Sequence, residues 1–300
     1  MFARRATNDD VELVLDIFNS HQLSVAPEAG TNNEDWAIDF IQGYPEPYTA
    51  WLLGESEDSV PFAVGNLNPS SNAKRFQADI SIRPGVKKLD EVLTFFRDQA
   101  KEFADGWSFW TSCNSADEYF HQVLLSQGFK VNRYFNTLRS VITEAIEPEL
   151  PAGVSYKQID IFDESEMKIW HDLRLDAFSK HFGFKPRPFE SFVEIMRRDP
   201  MMAKAIVLVL FENNLPAGYI WINDQAAHEG IGYVQNLGVA YAFQGKGYGQ
   251  YLLAKALKLF ADRGFHSAEL GVDTGNESGA LRLYEKMGFK LVTSWTQYED

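Results

Sequence analysis

At 300 residues the chain is about twice the usual domain length, and with 45% apolar and 14% aromatic residues it can bury a sizeable core. Its 28 basic against 42 acidic residues leave a formal charge of −14, which repels nucleic acid and anionic membranes and leaves a polyanionic ligand to be held by backbone amides and a few lysines. The single cysteine, Cys113, excludes an internal disulfide framework, and neither a signal-type apolar stretch nor a membrane-length apolar run is present. The expectation is a soluble, cytoplasmic protein, monomeric or homodimeric, with no metal.

Residues 2–7 read as a short strand, and Asn8 can cap a helix through about Gln22, with Val11, Leu15 and Phe18 on one side. Asn32 or Asn33 can cap a second helix carrying Trp36 and Phe40. Residues 48–54 and 60–67, separated by an acidic turn, form a hairpin, and the alternation of Phe76, Ala78, Ile80 and Ile82 marks the next strand. After Pro84 and Gly85, residues 89–103 repeat apolar side chains at helical spacing. A strand at 107–112, a helix at 119–125 ended by Gly128 and a strand at 131–141 complete the first half.

Residues 143–153 hold Glu144, Glu147 and Glu149 with Pro148 and Pro151, the composition of a connection between domains at 1–142 and 154–300. The same order then begins again: strand 154–159, helices 164–178 and 189–198, strands 205–211 and 217–222 around a turn, strand 231–239, helix 250–263, strand 267–273 and helix 280–287. Gly128-Phe129-Lys130 and Gly288-Phe289-Lys290, 160 residues apart, each end a helix and open a strand, so the halves are tandem copies of one mixed α/β unit.

The stretch Val234 to Gly249, VQNLGVAYAFQGKGYG, places an apolar strand before three glycines at alternate positions, Gly245, Gly247 and Gly249, and a helix after them. Glycine lets the backbone approach a ligand and take positive φ, and the first amides of the helix have no partner within it, which suits a phosphate. Neither G-x-G-x-x-G nor G-x-x-x-x-G-K-[ST] is present. The stretch resembles the Q/R-x-x-G-x-G/A pyrophosphate loop of the GNAT family, the Gcn5-related N-acetyltransferases, with Gln244, Gly247 and Gly249 in register. About 30 residues on, NESGALRLYEKMGF is similar to the family's N-x-x-A-x-x-L-Y-x-x-x-G-F signature, carried by Asn276, Ala280, Leu283, Tyr284, Gly288 and Phe289, with one more residue between Asn276 and Ala280 than the pattern has.

The resemblance implies two tandem GNAT folds, each a mixed, mostly antiparallel sheet with a splayed strand pair, flanked by helices. It implies acetyl-coenzyme A as co-substrate and a primary amine of a small molecule as acceptor. In that reading Gln244, Gly245, Lys246, Gly247, Tyr248 and Gly249 hold the pyrophosphate, while Leu237, Gly238 and Val239 line the pantetheine arm, and Asn276 and Ala280 belong to the second signature. The Leu237 N–H faces the thioester oxygen, and Tyr284 is the general acid toward the leaving thiolate. The base stays open among His228, Glu229, Tyr233, Gln235, Asp273 and a chain of waters.

The tandem arrangement also resembles mycothiol synthase and its uncharacterised relatives, with Asp176 to Gly183, DAFSKHFG, similar to a D-A-F-x-D-H-W-G segment common there. On that likeness Trp221, Tyr233, His181 and Phe182 are acceptor-side residues, Tyr233 standing where mycothiol synthase has a glutamate. In the first half the loop counterpart, IRPGVKKL, has a single glycine, and Leu124 stands where Tyr284 does, so that copy reads as having lost the transfer chemistry. A non-catalytic acyl-coenzyme A sensor, or an interaction protein on a vestigial fold, is the competing expectation.

Overall fold

The computed structural model describes residues 1–42, 50–143, 146–181, 184–275 and 279–300. In chain order the elements are β1 (Phe2–Arg5), α1 (Val11–Val25), α2 (Glu34–Gln42), β2 (Trp51–Gly54), β3 (Ala63–Ser70), β4 (Arg75–Ile82), α3 (Leu89–Phe103), β5 (Ser108–Asn114), α4 (Glu118–Ser126) and β6 (Lys130–Val141). They continue with β7 (Val154–Gln158), α5 (Glu164–Phe178), α6 (Phe189–Arg198), β8 (Ile206–Glu212), β9 (Leu215–Asn223), β10 (Ile231–Val239), α7 (Tyr248–Asp262), β11 (Ser267–Asp273), α8 (Ala280–Lys286) and β12 (Lys290–Glu299). This is the mixed α/β class expected. Contacts divide the chain into two compact units, Met1–Asn136 with Asp273–Gly275 and Val292–Asp300, and Thr137–Val272 with Asn276–Leu291.

In the first unit, β1, β2, β3 and β4 pair antiparallel in order, β4 and β5 pair parallel, and β12 closes the far side of β5, antiparallel. The expected cut in the linker assigns β12 to the second half; by contacts Val292–Asp300 belongs here, because β12 pairs with β5 from Trp295–Asn114 to Glu299–Trp110. One face of the sheet buries Val14 and Ile17 of α1 and Phe40 and Ile41 of α2 against Leu52 and Val64. The other buries the apolar stripe of α3, Leu89, Val92, Leu93 and Phe96, with Phe120 and Leu124 of α4. Leu124, the counterpart of Tyr284, is fully enclosed there.

The second unit repeats the scheme. β7, β8, β9 and β10 pair antiparallel in order, and β10 pairs parallel with β11. The β8–β9 hairpin turns on Asn213 and Asn214, both at positive φ, which matches the right-handed strand twist. Met167, Trp170 and Leu173 of α5 and Phe192 and Met196 of α6 pack on one face. Leu252, Leu253, Ala256 and Phe260 of α7 and Tyr284 of α8 pack on the other.

Candidate active site

The site forms where β10 and β11 part. Their parallel ladder runs only from Ile231–Ser267 to Val234–Leu270, while β10 continues to Val239 and β11 to Asp273. The C-terminal ends therefore open as a wedge, the place where parallel strands leave room for a ligand. On its other side β10 stays paired with β9 as far as Val239, with a register shift between Val234 and Asn236. That bulge at Gln235 changes which residues face which layer. Val234 packs on the α7 side, and after the bulge Leu237 and Val239 do too. Gly238 turns to α5, where a Cβ would stand 2.9 Å from Ala177 Cβ and 3.1 Å from Phe178. Leu237, Gly238 and Val239 thus lie on the edge of β10 that β11 leaves.

The glycine loop follows directly. Gly245 and Gly247 have φ of 78° and 84°, left-handed values that a side chain strains to adopt. Gly247 precedes the first residue of α7, and no side chain caps that helix end. A Cβ built at Gly245 or Gly247 would meet nothing within 4 Å, so no side chain blocks the turn, and the N–H groups of Tyr248, Gly249 and Gln250 begin α7 without an intrahelical acceptor. The helix starts two residues earlier than its expected start at Gln250, which places Tyr248 and Gly249 in its first turn. Gln244 donates to the Val239 carbonyl at 3.3 Å and closes the loop on its strand. Lys246, expected to add charge, is bound to Glu212 at 2.7 and 3.1 Å, and that hydrogen bond holds its ammonium pKa up.

Two contacts tie α8 to the first turn of α7. A Gly249 Cβ would lie 3.2 Å from Leu283, and Lys286 Nζ donates to Gln250 Oε1 at 2.8 Å. Tyr284, next to Leu283, is 8% exposed, its ring 6.1 Å from that of Phe289, and burial pushes its phenol up to about 12. A phenol so shifted stays protonated at neutral pH, the state a proton donor needs. Ala280 opens α8, and Asn276 and Phe182 lie outside the described residues.

On the α5 side, Trp221 stands edge-on to Trp170 at 5.6 Å, and its buried indole nitrogen has no partner among the described residues. Tyr219 donates to Asn236. His181 lies 4.5 Å from the Phe178 ring. A Cβ at Gly271, one residue past the last β10–β11 pair, would stand 3.4 Å from the Tyr233 hydroxyl, and burial with Glu269 nearby raises that phenol to about 12.

Of the residues considered as a base, His228 and Glu229 precede β10 and lie about 25 Å along the strand from the loop at ~3.3 Å per residue, too far to act there. In the first unit, Asp273 accepts from Arg133 Nε at 2.8 Å and is an ion-pair partner. Asp176 went without a role in the sequence: its carboxylate accepts the Tyr241 N–H at 2.9 Å, pinning the turn between β10 and the loop. The DAFSKHFG likeness contained that residue, but a contact spanning 65 positions leaves no local mark.

Residues 167–289 match the acetyltransferase (GNAT) family. A mycothiol acetyltransferase of Renibacterium salmoninarum is 27% identical over 177 residues, 57% of this chain and 52% of that protein, so the match spans about half of that relative. Among solved structures, a GCN5-related N-acetyltransferase from Sphaerobacter thermophilus superposes with a TM-score of 0.79 at 16% identity, covering 100% of this chain and 95% of that one. A tandem GNAT protein from the clavulanic acid biosynthesis pathway gives 0.79 at 13% identity, covering 100% and 98%. These last two likenesses speak to the fold, which is a tandem GNAT fold. The family match encloses the wedge, the glycine loop and Tyr284, and the chain carries an acetyltransferase domain of the GNAT family over those residues.

Proposed function

We propose that the second unit is an acetyl-coenzyme A-dependent N-acetyltransferase that acylates a primary amine of a small molecule in a direct ternary complex. The observation that carries this reading is the pair of unblocked left-handed glycines, Gly245 and Gly247, at the uncapped start of α7, beside strands that part after Val234. Main-chain donors of Tyr248 and Gly249 hold the diphosphate, and the free edge at Leu237 to Val239 receives the pantetheine arm. The Leu237 N–H stabilises negative charge on the thioester oxygen, and Tyr284 delivers a proton to the departing sulfur. Trp221 and Tyr233 shape the acceptor side. The curated relative's name, mycothiol acetyltransferase, makes an amino-sugar conjugate of cysteine the first acceptor to try.

The test is thiol release from acetyl-coenzyme A across a panel of amines: cysteinyl-glucosaminyl-inositol, aminoglycosides, polyamines and peptide N-termini. Amine-dependent release with a matching mass gain on one acceptor is expected. Tight binding of acetyl-coenzyme A with no transfer to any amine would favour a sensor instead.

A further inference from the structure

The first unit holds a cavity of about 60 Å³ that the transfer reaction does not use. It lies where β4 and β5 part, since their parallel ladder ends at Ala78–Thr111 while the strands run on to Ile82 and Asn114. Phe18, Val25, Ile80, Phe120 and Trp295 give it apolar walls. His21, Ser81 and Asp117 share that lining and form a linked chain. His21 Nδ1 lies 2.8 Å from Ser81 Oγ, and His21 Nε2 lies 2.7 Å from Asp117 Oδ2. Asp117 is itself fixed as the cap of α4, its other oxygen accepting the Phe120 N–H at 3.0 Å. The Phe120 ring stacks 6.1 Å from the imidazole at an interplanar angle of 13°.

The order of groups sets the proton positions. Burial alone would raise the Asp117 carboxyl, but the His21 and Phe120 hydrogen bonds outweigh it and hold the group below its ordinary range. An ionised Asp117 accepts only, so the proton of a neutral imidazole sits on Nε2 and the Nδ1 lone pair faces the Ser81 hydroxyl. This is a nucleophile, a base and a group that orients the base, each within hydrogen-bond reach of the next. A network serving only to dock α1 would not need to line a cavity. The strand edges beyond Ala78 and Thr111, which β4 and β5 no longer offer each other, run along its wall.

We propose that the first unit is a separate serine acylation centre, in which Ser81 takes a short acyl group from a small activated ester with His21 as base and Asp117 as its positioning residue. Ser81 Oγ attacks the ester carbonyl as Nδ1 of His21 takes the hydroxyl proton. The new Oγ–C bond forms, the C–O bond to the leaving alcohol breaks, and His21 returns the proton to that alcohol. Water then repeats the sequence on acyl-Ser81 and releases the acid, with no other reactant.

The test uses the full chain and a small dialkyl fluorophosphate, followed by intact mass and peptide mapping. The expected result is one phosphoryl adduct on Ser81, absent in Ser81→Ala and formed at least ~100-fold more slowly in His21→Gln. A stoichiometric burst of p-nitrophenolate from p-nitrophenyl acetate should vanish in Ser81→Ala. No adduct on the folded wild-type chain, an adduct at another residue, or labelling indifferent to His21 would each overturn the proposal.

Discussion

The sharpest test of the phosphate cradle is a pair of substitutions, Gly247→Trp and Gly85→Trp. The two glycines are matched: φ is 84° at one and 85° at the other, and a Cβ at either meets nothing within 4 Å. The backbone strain is therefore the same, about 1–2 kcal/mol for an L-residue in the left-handed region, and both variants should lose a similar few degrees in Tm. They differ in what the indole covers. At 247 it lies over the first amides of α7, whose hydrogen bonds to a charged group are each worth about 1.5–3 kcal/mol. Losing two of them costs about 3–6 kcal/mol, or more than ~100-fold in Kd for acetyl-coenzyme A. Isothermal titration should show micromolar binding by the parent chain, near-parent binding by Gly85→Trp and none at practical concentrations by Gly247→Trp. Should the folded Gly247→Trp chain bind within about threefold of the parent, or Gly85→Trp lose as much, the cradle is elsewhere.

Tyr284→Phe should keep the packing against Phe289 and the affinity for acetyl-coenzyme A while kcat falls about 100-fold. Because burial raises the phenol to about 12, the donor stays protonated past pH 10, so the parent kcat should hold through pH 10 and a fall near that pH would exclude Tyr284 as the acid. Asp176→Ala removes the acceptor of the Tyr241 N–H and should raise KM for acetyl-coenzyme A about tenfold with kcat changed less; Asp176→Asn keeps an acceptor oxygen and should recover most of it, and an equal loss in both would point to charge instead. In the first unit, the hydrogen bond from Arg4 holds Asp10 at about 2 against 3.8, a lowered value that stabilises fully above 3.8 and is lost as pH falls through about 2. That shift corresponds to about 2.4 kcal/mol, reduced to about 1 by solvent at Arg4, whose side chain is 41% exposed. Urea unfolding of Asp10→Asn should show this loss at pH 7 and none below pH 2; the same loss at both would assign it to packing.

What the chain order disclosed depended on how local the cause was. The stripe Leu89, Val92, Leu93, Phe96 and Ala100 needs only helical spacing, and α3 spans Leu89–Phe103 as that spacing predicts. The bounds of α5, α6, β10 and β11 were legible for the same reason. The lodging of β12 was not. Its apolar and polar residues announce a strand, but nothing in them says that Trp295 will face Asn114 rather than a strand of its own half, because pairing partners are chosen across 181 positions by ladder bonds common to every strand.

The same distinction separates the parts of the two sites. The glycine loop and the helix carrying Tyr284 were legible because glycine at positive φ and a tyrosine on a short helix sit in compact patterns, Gly245 to Gly249 and Ala280 to Phe289. The wedge is implied by the family resemblance as a splayed strand pair, and its physical mark in the sequence is an odd spacing: Val234, Leu237 and Val239 cannot share one side of a regular strand, since 234 and 237 differ by an odd number. They pack together because the bulge at Gln235 absorbs one residue, and the same shift aims Gly238 at Ala177 and leaves the backbone from Leu237 onward on the open edge. His21, Ser81 and Asp117 had no such mark, being 60 and 96 positions apart and joined only once α1 lies over β4 and the cap of α4. An odd step in an otherwise alternating apolar run is thus a local sign of a bulged strand, whereas a hydrogen-bonded chain assembled from separate elements appears only when the fold is known.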